Sequence, residues 1–180
     1  MVIGIDDIYD YCEIDGNYVV ENKVINVFGS VSFLTDGVKL SKIPFRFGRV
    51  SEDFTCSNLG LTSLDYCPEF VGAEFHCDLN KITSLEGGPL TVGDNYHCYD
   101  NRLLTSLEGA PDIVKGCFYI DWNPKLPMLS LLKYNEVTIY ENKIVRSIIH
   151  EYAGKKPLRQ AIIQCQRALI DAGFRDNARL

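Results

Sequence analysis

Apolar positions in this chain recur at two intervals, a short one and a long one. Phe75-x-Cys77 and Tyr96-x-Cys98 alternate apolar with polar residues, the period of a strand with one buried face. Each pair continues into an asparagine and a further apolar residue, giving Phe75-x-Cys77-x-x-Asn80-x-Ile82 and Tyr96-x-Cys98-x-x-Asn101-x-Leu103. Cys56, Cys77 and Cys98 stand 21 residues apart. Around them lie three units, 50–70, 71–91 and 92–113, the third with one extra residue near Leu103 and Leu104, and a diverged fourth begins at Val114. Thr-Ser-Leu and proline recur in register, so the chain is an internal repeat whose units bury their apolar sides only by stacking.

The pattern predicts six stacked strands, near 31–33, 54–56, 75–77, 96–98, 118–120 and 137–139. The asparagine serves a turn where ladder partners run out, and a Thr-Ser-Leu-Glu-Gly-x-Pro segment returns the chain as irregular structure. Val137-x-Ile139-x-x-Asn142-x-Ile144 matches the motif, and Val31-x-Phe33-x-x-Asp36-x-Val38 matches it more weakly. Leu59 replaces the asparagine in the first clear unit, and Pro124 and Lys125 follow Asn123 where the motif expects an apolar residue. Tyr18-Val19-Val20 and Val24-Ile25-Asn26-Val27 flank Glu21-Asn22-Lys23 as a capping hairpin. At the other end 144–152 and 157–172 predict helices. Leu158, Ile162, Cys165, Leu169 and Ala172 form one apolar stripe, broadened by Ala161, Ile163 and Ala168, with Pro157 in the first turn and Gly173 as the stop. The expected organisation is an N-terminal cap over 1–30, a solenoid over 31–145, and a helical cap with a basic tail over 146–180.

The apolar-x-apolar-x-x-Asn-x-apolar core resembles the leucine-rich repeat. The resemblance implies a leucine-rich repeat solenoid of the α/β class, with a parallel β-sheet whose exposed face binds protein partners. With the Thr-Ser-Leu-Glu-Gly-x-Pro rungs, the hairpin cap and the tail Asp176-Asn177-Ala178-Arg179-Leu180, the chain is most similar to small leucine-rich repeat proteins of bacteria and tailed bacteriophages.

Composition narrows the function classes. The 180 residues are 46% hydrophobic with a formal net charge of −6, which fits a folded domain and disfavours a dominant phosphate-binding role. Residues 1–140 hold 20 acidic and 10 basic side chains, whereas 141–180 hold 4 and 8. The tail therefore offers a second, basic surface that includes Arg159 and Arg167. No apolar run approaches the length of a membrane span, and Met1-Val2-Ile3-Gly4-Ile5 has no basic region ahead of an apolar stretch, so neither a membrane nor a secretory signal is expected. Seven cysteines without a CxxC pair point away from structural zinc and toward a reducing, cytoplasmic compartment, which is the host cytoplasm if the chain is phage-encoded.

With Phe75 and Cys77 inward, their neighbours face outward and stack in three ladders. The middle ladder is Thr55, His76, His97, Tyr119 and Thr138. One flank is Asp53, Glu74, Asn95 and Cys117, and the other is Ser57, Asp78, Tyr99, Asp121 and Tyr140. These positions, Cys117 and Thr138 apart, are the expected partner-binding residues, with the partner a host protein. Nucleic acid is not expected on an acidic aromatic face. The two imidazoles make a pH-sensitive interaction an expectation.

No enzyme is expected. His97 and Cys98 are adjacent on a strand and face opposite sides, Ser63, Ser84 and Ser106 have no placed base, Asp78 and Asp100 lie in different rungs, and Glu86-Gly87-Gly88-Pro89 is a bend without a phosphate-loop context. Cys117 is the one thiol expected to be outward and reactive. His76 and His97 with Glu74 or Asp78 are within ligand reach, an alternative in which the chain is a metal-binding enzyme. Repeat copying explains the two histidines without an ion, so no metal or cofactor is expected. The other alternative is a structural or oligomeric virion-associated protein.

Overall fold

A computed structural model describes residues 5–35 and 39–180. It is a β-solenoid of about five turns, built on parallel strand ladders with few helices. The chain enters through a 3-10 turn over Ile5–Asp10 and forms the antiparallel hairpin β1 (Cys12–Glu21) and β2 (Val24–Phe33). Asn22 and Lys23 adopt φ of 51° and 65°, the left-handed pair that a two-residue hairpin turn needs to match strand twist.

β2 then starts two ladders. Its first half, Val24 to Val27, pairs with β3 (Arg46–Val50), and its second half, Val31 and Ser32, pairs with β4 (Phe54–Thr55). From β3 one ladder runs through β5 (Phe70–Val71), β7 (Thr91–Val92) and β9 (Ile113–Val114). From β4 the other runs through β6 (Phe75–His76), β8 (Tyr96–His97), β10 (Cys117–Asp121) and β11 (Glu136–Tyr140). All six expected strand positions are occupied, by the second half of β2 and the five strands of this second series. The expected irregular return segments are corrected in part, because each of the middle coils carries an additional short strand. Its signal is one inward valine per coil, Val50, Val71, Val92 and Val114, all buried. The expected cap boundary at residue 30 falls inside β2, since that strand is both hairpin arm and first coil. Asp36 and Val38 of the weakest motif match lie outside the described residues.

Between the two ladders the two middle coils bend at a glycine pressed on the coil below. A Cβ built on Gly93 lies 1.9 Å from the Gly72 carbonyl oxygen, and one on Gly72 lies 1.9 Å from that of Ser51. No side chain fits there, and the amides use the contact: Gly72 N–H donates to Val50 and Gly93 N–H to Val71, each at 2.9 Å.

Inside, an aromatic spine crosses the coils. Phe54 and Phe75 stack at 5.9 Å between centroids, Phe75 and Tyr96 lie at 5.1 Å, and Tyr96 with Phe118 and Phe118 with Tyr134 each at 4.8 Å. The parallel cysteine column, Cys56, Cys77 and Cys98, is fully buried as expected and continues into Ile120 and Ile139. The contribution of these columns is the usual transfer of apolar area from water.

Asparagines close the far corner. Asn80 Nδ2 donates to the carbonyls of Cys56, Cys77 and Asp78, and its Oδ1 accepts from the amides of Leu59, Gly60 and Leu61. It thereby completes the coil in which Leu59 stands in the asparagine position. Asn101 repeats the donor half through Cys77, Cys98 and Tyr99, but its Oδ1 is buried without a partner. The residue before each corner, Asn58, Leu79 or Asp100, has φ of 57°, 58° or 54°. This left-handed kink is where Asn and Asp are most tolerated.

Three expected apolar positions are corrected by one residue or by geometry. Leu103 is 55% exposed and Leu104 is buried, because the extra residue extends the corner. Leu126, buried after Pro124 and Lys125, takes the corresponding place in the fourth unit. Asn142 caps α1 (Lys143–Tyr152) by accepting from Ile144 and Val145, so Val145 faces the core and Ile144 faces water.

The C-terminal end is covered by a 3-10 turn over Met128–Lys133, by α1, and by α2 (Leu158–Asp171). α1 buries Val145 and Ile149, and α2 buries Ala161, Cys165 and Leu169. Ile163 and Ala172, expected in the apolar stripe, are exposed because they sit at its margins. Asn177 in the tail is buried. Its Nδ2 donates to the carbonyls of Asn123 and Leu126, and its Oδ1 accepts from Trp122 Nε1.

Three substitutions test this construction. Asn80→Ala leaves three amides of the neighbouring coil without their acceptor and is expected to cost about 3 kcal/mol. Asn101→Ala costs less, since only its donor half is used; urea unfolding of the two variants gives the order. Gly93→Ala forces the coils apart at the bend and is expected to lower stability by about 1–3 kcal/mol, measured the same way.

Candidate functional site

The outward face of the β4–β6–β8–β10–β11 ladder is set by strand alternation. Since Phe75 and Cys77 point inward, His76 points out, and register places it over Thr55 and under His97, with Tyr119 and then Thr138 beyond. The His76 and His97 rings stack 4.3 Å apart within 3° of parallel, and His97 stacks on Tyr119 at 4.6 Å and 5°. Tyr99 approaches His97 edge-on at 6.1 Å and Tyr140 at 5.6 Å, and Tyr119 and Tyr140 lie 6.4 Å apart. The result is a continuous aromatic stripe over four coils, its side chains half-buried against one another and open to solvent on one side.

Carboxylates border the stripe. Glu74 Oε2 lies 3.0 Å from His76 Nε2 and 3.8 Å from His97 Nε2, and Asp78 Oδ1 lies 3.8 Å from His76 Nδ1. Glu74 Oε1 accepts from Asn95 Nδ2 at 2.6 Å. That amide, joined by the bond to His76, holds the Glu74 carboxyl below the usual carboxylate range although partial burial opposes it. Burial, and then the neighbouring His76, lower the His97 pKa, with Glu74 and Asp78 opposing. The Nε2 of His97 is buried and has no hydrogen-bond partner.

The structure separates the expected site residues into two groups. Thr55, His76, His97, Tyr99, Tyr119 and Tyr140 share the open stripe, with Glu74 at its edge. Others spend their polar atoms on neighbouring coils. Asp53 Oδ1 accepts the Glu74 amide, Asn95 Oδ1 the Cys117 amide, and an Asp121 carboxylate oxygen the Asp100 amide. Ser57 Oγ donates to Asp78 Oδ1 at 2.7 Å, and Asp78 is only 5% exposed. Asp78 is thus corrected from an outward contact to a buried bracket between coils. Cys117 is also corrected. It is buried, with its thiol 3.4 Å from Thr138 Oγ1, because the strand after it covers that edge.

Trp122 and Asn177 are the residues that alternation did not single out. Their contact joins positions 55 apart in sequence and no local pattern carries it. Beyond the stripe, the described surface carries open grooves. One, lined by residues such as Asn26, Arg49, Phe70 and Thr91, lies along the β3–β5–β7 ladder, and another, lined by Ile163, Arg167 and Ile170, lies along α2. Among the described residues no helix is long and apolar enough to cross a membrane.

All seven cysteines are free and buried. Burial raises the thiol pKa of Cys12 and Cys165 to about 12, and raises Cys56, Cys77 and Cys98 well above the ordinary value. Ellman's reagent is therefore expected to titrate almost no thiol in the native protein and all seven once it is unfolded; prompt reaction at Cys117 would contradict its burial. Compared with protein-family models, curated proteins and solved structures, the chain matches none.

Proposed function

We propose that the chain is a non-catalytic protein-binding module of leucine-rich-repeat type that engages one partner protein through the open histidine–tyrosine stripe. In its most specific form it is a phage-encoded accessory protein that binds and blocks a host protein in the cytoplasm. The observation that carries the binding proposal is the stripe itself: His76, His97, Tyr119, Tyr99 and Tyr140, mutually packed and open on one side. Aromatic side chains already held by their neighbours lose little freedom on binding, and such groups dominate interface energies. The Glu74 carboxylate beside the rings favours a partner that presents Arg or Lys. The bonds of Asn80 and Asn101 support the leucine-rich-repeat assignment; the second ladder is a departure from what that resemblance implied.

The test compares wild type with a variant carrying His76, His97, Tyr99 and Tyr119 all as alanine. Both are immobilised and exposed to bacterial lysate, and bound proteins are read by mass spectrometry. A protein retained by wild type and lost from the variant, with both chains melting cooperatively, supports the stripe. Equal retention overturns it. Charge reversal at Arg159 and Arg167 then asks whether the basic side of α2 holds the partner instead. Light scattering that reports an oligomer with no specific partner would favour the structural alternative.

A further inference from the structure

Ligand reach among His76, His97, Glu74 and Asp78 is legible in the sequence, but copying of the repeat accounts for two aligned histidines without an ion. The structure adds three facts that copying does not supply. Glu74, from a different position of the repeat, brings its carboxylate to both rings, so that one donor atom from each of Glu74, His76 and His97 lies within 4.8 Å of the other two. His97 Nε2 is buried and unpartnered although it faces that carboxylate at 3.8 Å. On the far side of His76, Nδ1 faces the Asp78 carboxylate at 3.8 Å, and Asp78 is itself fixed by Ser57. A carboxylate that accepts the Nδ1 proton of a ligating imidazole selects the tautomer whose Nε2 is free to ligate, and the turn of His76 onto an ion would have to bring Asp78 into that role.

We propose that Glu74, His76 and His97 form a binding site for a divalent ion of the zinc, nickel and copper class. Two imidazoles and a carboxylate are the donors these ions take, whereas magnesium and calcium prefer oxygen alone. In a tetrahedral zinc site with bonds of about 2.0–2.1 Å, ligand atoms are roughly 3.4 Å apart. The carboxylate oxygen stands 3.0 Å from one ring nitrogen and 3.8 Å from the other, close to that spacing. The rings are parallel, so their lone pairs run side by side, and closure on an ion takes a rotation of one ring about χ2. His76 is the ring that turns, since its side chain is 27% exposed against 16% for His97. Three protein donors leave a coordination position on the solvent side for water. The ion would join adjacent coils and satisfy the orphaned nitrogen. This site does not depend on the protein-binding proposal, since it needs no partner.

The 180-residue chain is stripped with chelator and titrated with Zn2+ by calorimetry, and with Co2+ by absorption. Wild type is expected to take up one equivalent of zinc, with a rise in melting temperature, and to give a cobalt spectrum without a thiolate charge-transfer band. His97→Ala, His76→Ala and Glu74→Gln are each expected to weaken binding by about tenfold or more, and His150→Ala to leave it unchanged. Glu74→Gln preserves side-chain shape, so it remains informative if an alanine variant melts early. Absence of saturable zinc uptake by wild type, uptake unaffected by all three variants, or a thiolate band would each overturn the site. Repeating the partner capture in chelator separates the two proposals: a partner retained there leaves the binding face standing whatever zinc does.

Discussion

Everything in this structure depends on the spacing between stacked parallel strands. A ladder holds neighbouring chains about 4.8 Å apart, and a repeat of 21 residues returns the same residue type to the same place in successive coils. Interior and surface are therefore built by one rule. Inside, the rule lines up Phe54, Phe75, Tyr96 and Phe118, whose rings fill the width of a coil. Outside, it stacks His76 on His97 and His97 on Tyr119. At the bend it leaves room for nothing larger than the hydrogen of Gly72 and Gly93.

The same spacing decides which polar groups remain available. Where a side chain is short, the coil beside it lies within hydrogen-bond reach, and Asp53, Ser57, Asp78 and Asn95 are consumed in joining coils. Where a ring occupies the position it stacks on its neighbour and keeps one edge in water. The open stripe is thus aromatic because rings are what the ladder cannot absorb. Its one internal mismatch is His97, whose Nε2 is shut away from solvent without a partner.

How far the sequence disclosed this can be argued from particular residues. The strands at Phe75 and Tyr96, the buried cysteines and the hairpin around Asn22 and Lys23 followed from two-residue alternation and turn chemistry, both local signals. The second ladder was hidden because Phe70-Val71 and Thr91-Val92 each show a single inward residue, too short a stretch for a period to declare itself. Leu103 and Leu104 differ by one position, and the pattern put Leu103 inward where the extended corner buries Leu104. The inward fate of Asp78 and Cys117 is set by what stacks beside them, and Asn177 meets Trp122 across 55 residues. Of the outward ladders, the central one was legible because alternation fixes it, while on the flanks Asp78 and Cys117 are turned from the expected exposure by the coils beside them.

β2 has a further consequence in kinetic terms. Beyond that strand, each short strand up to β10 pairs with one roughly a single repeat away in the chain, so both ladders grow by closing modest loops of similar length. Loop-closure entropy rises only slowly with length, and a stack of this kind propagates from whichever unit forms first. β2 is the one strand common to both ladders. A hairpin that sets the phase of both at once makes the N-terminal end a natural place for ordering to begin, and every later coil inherits its register.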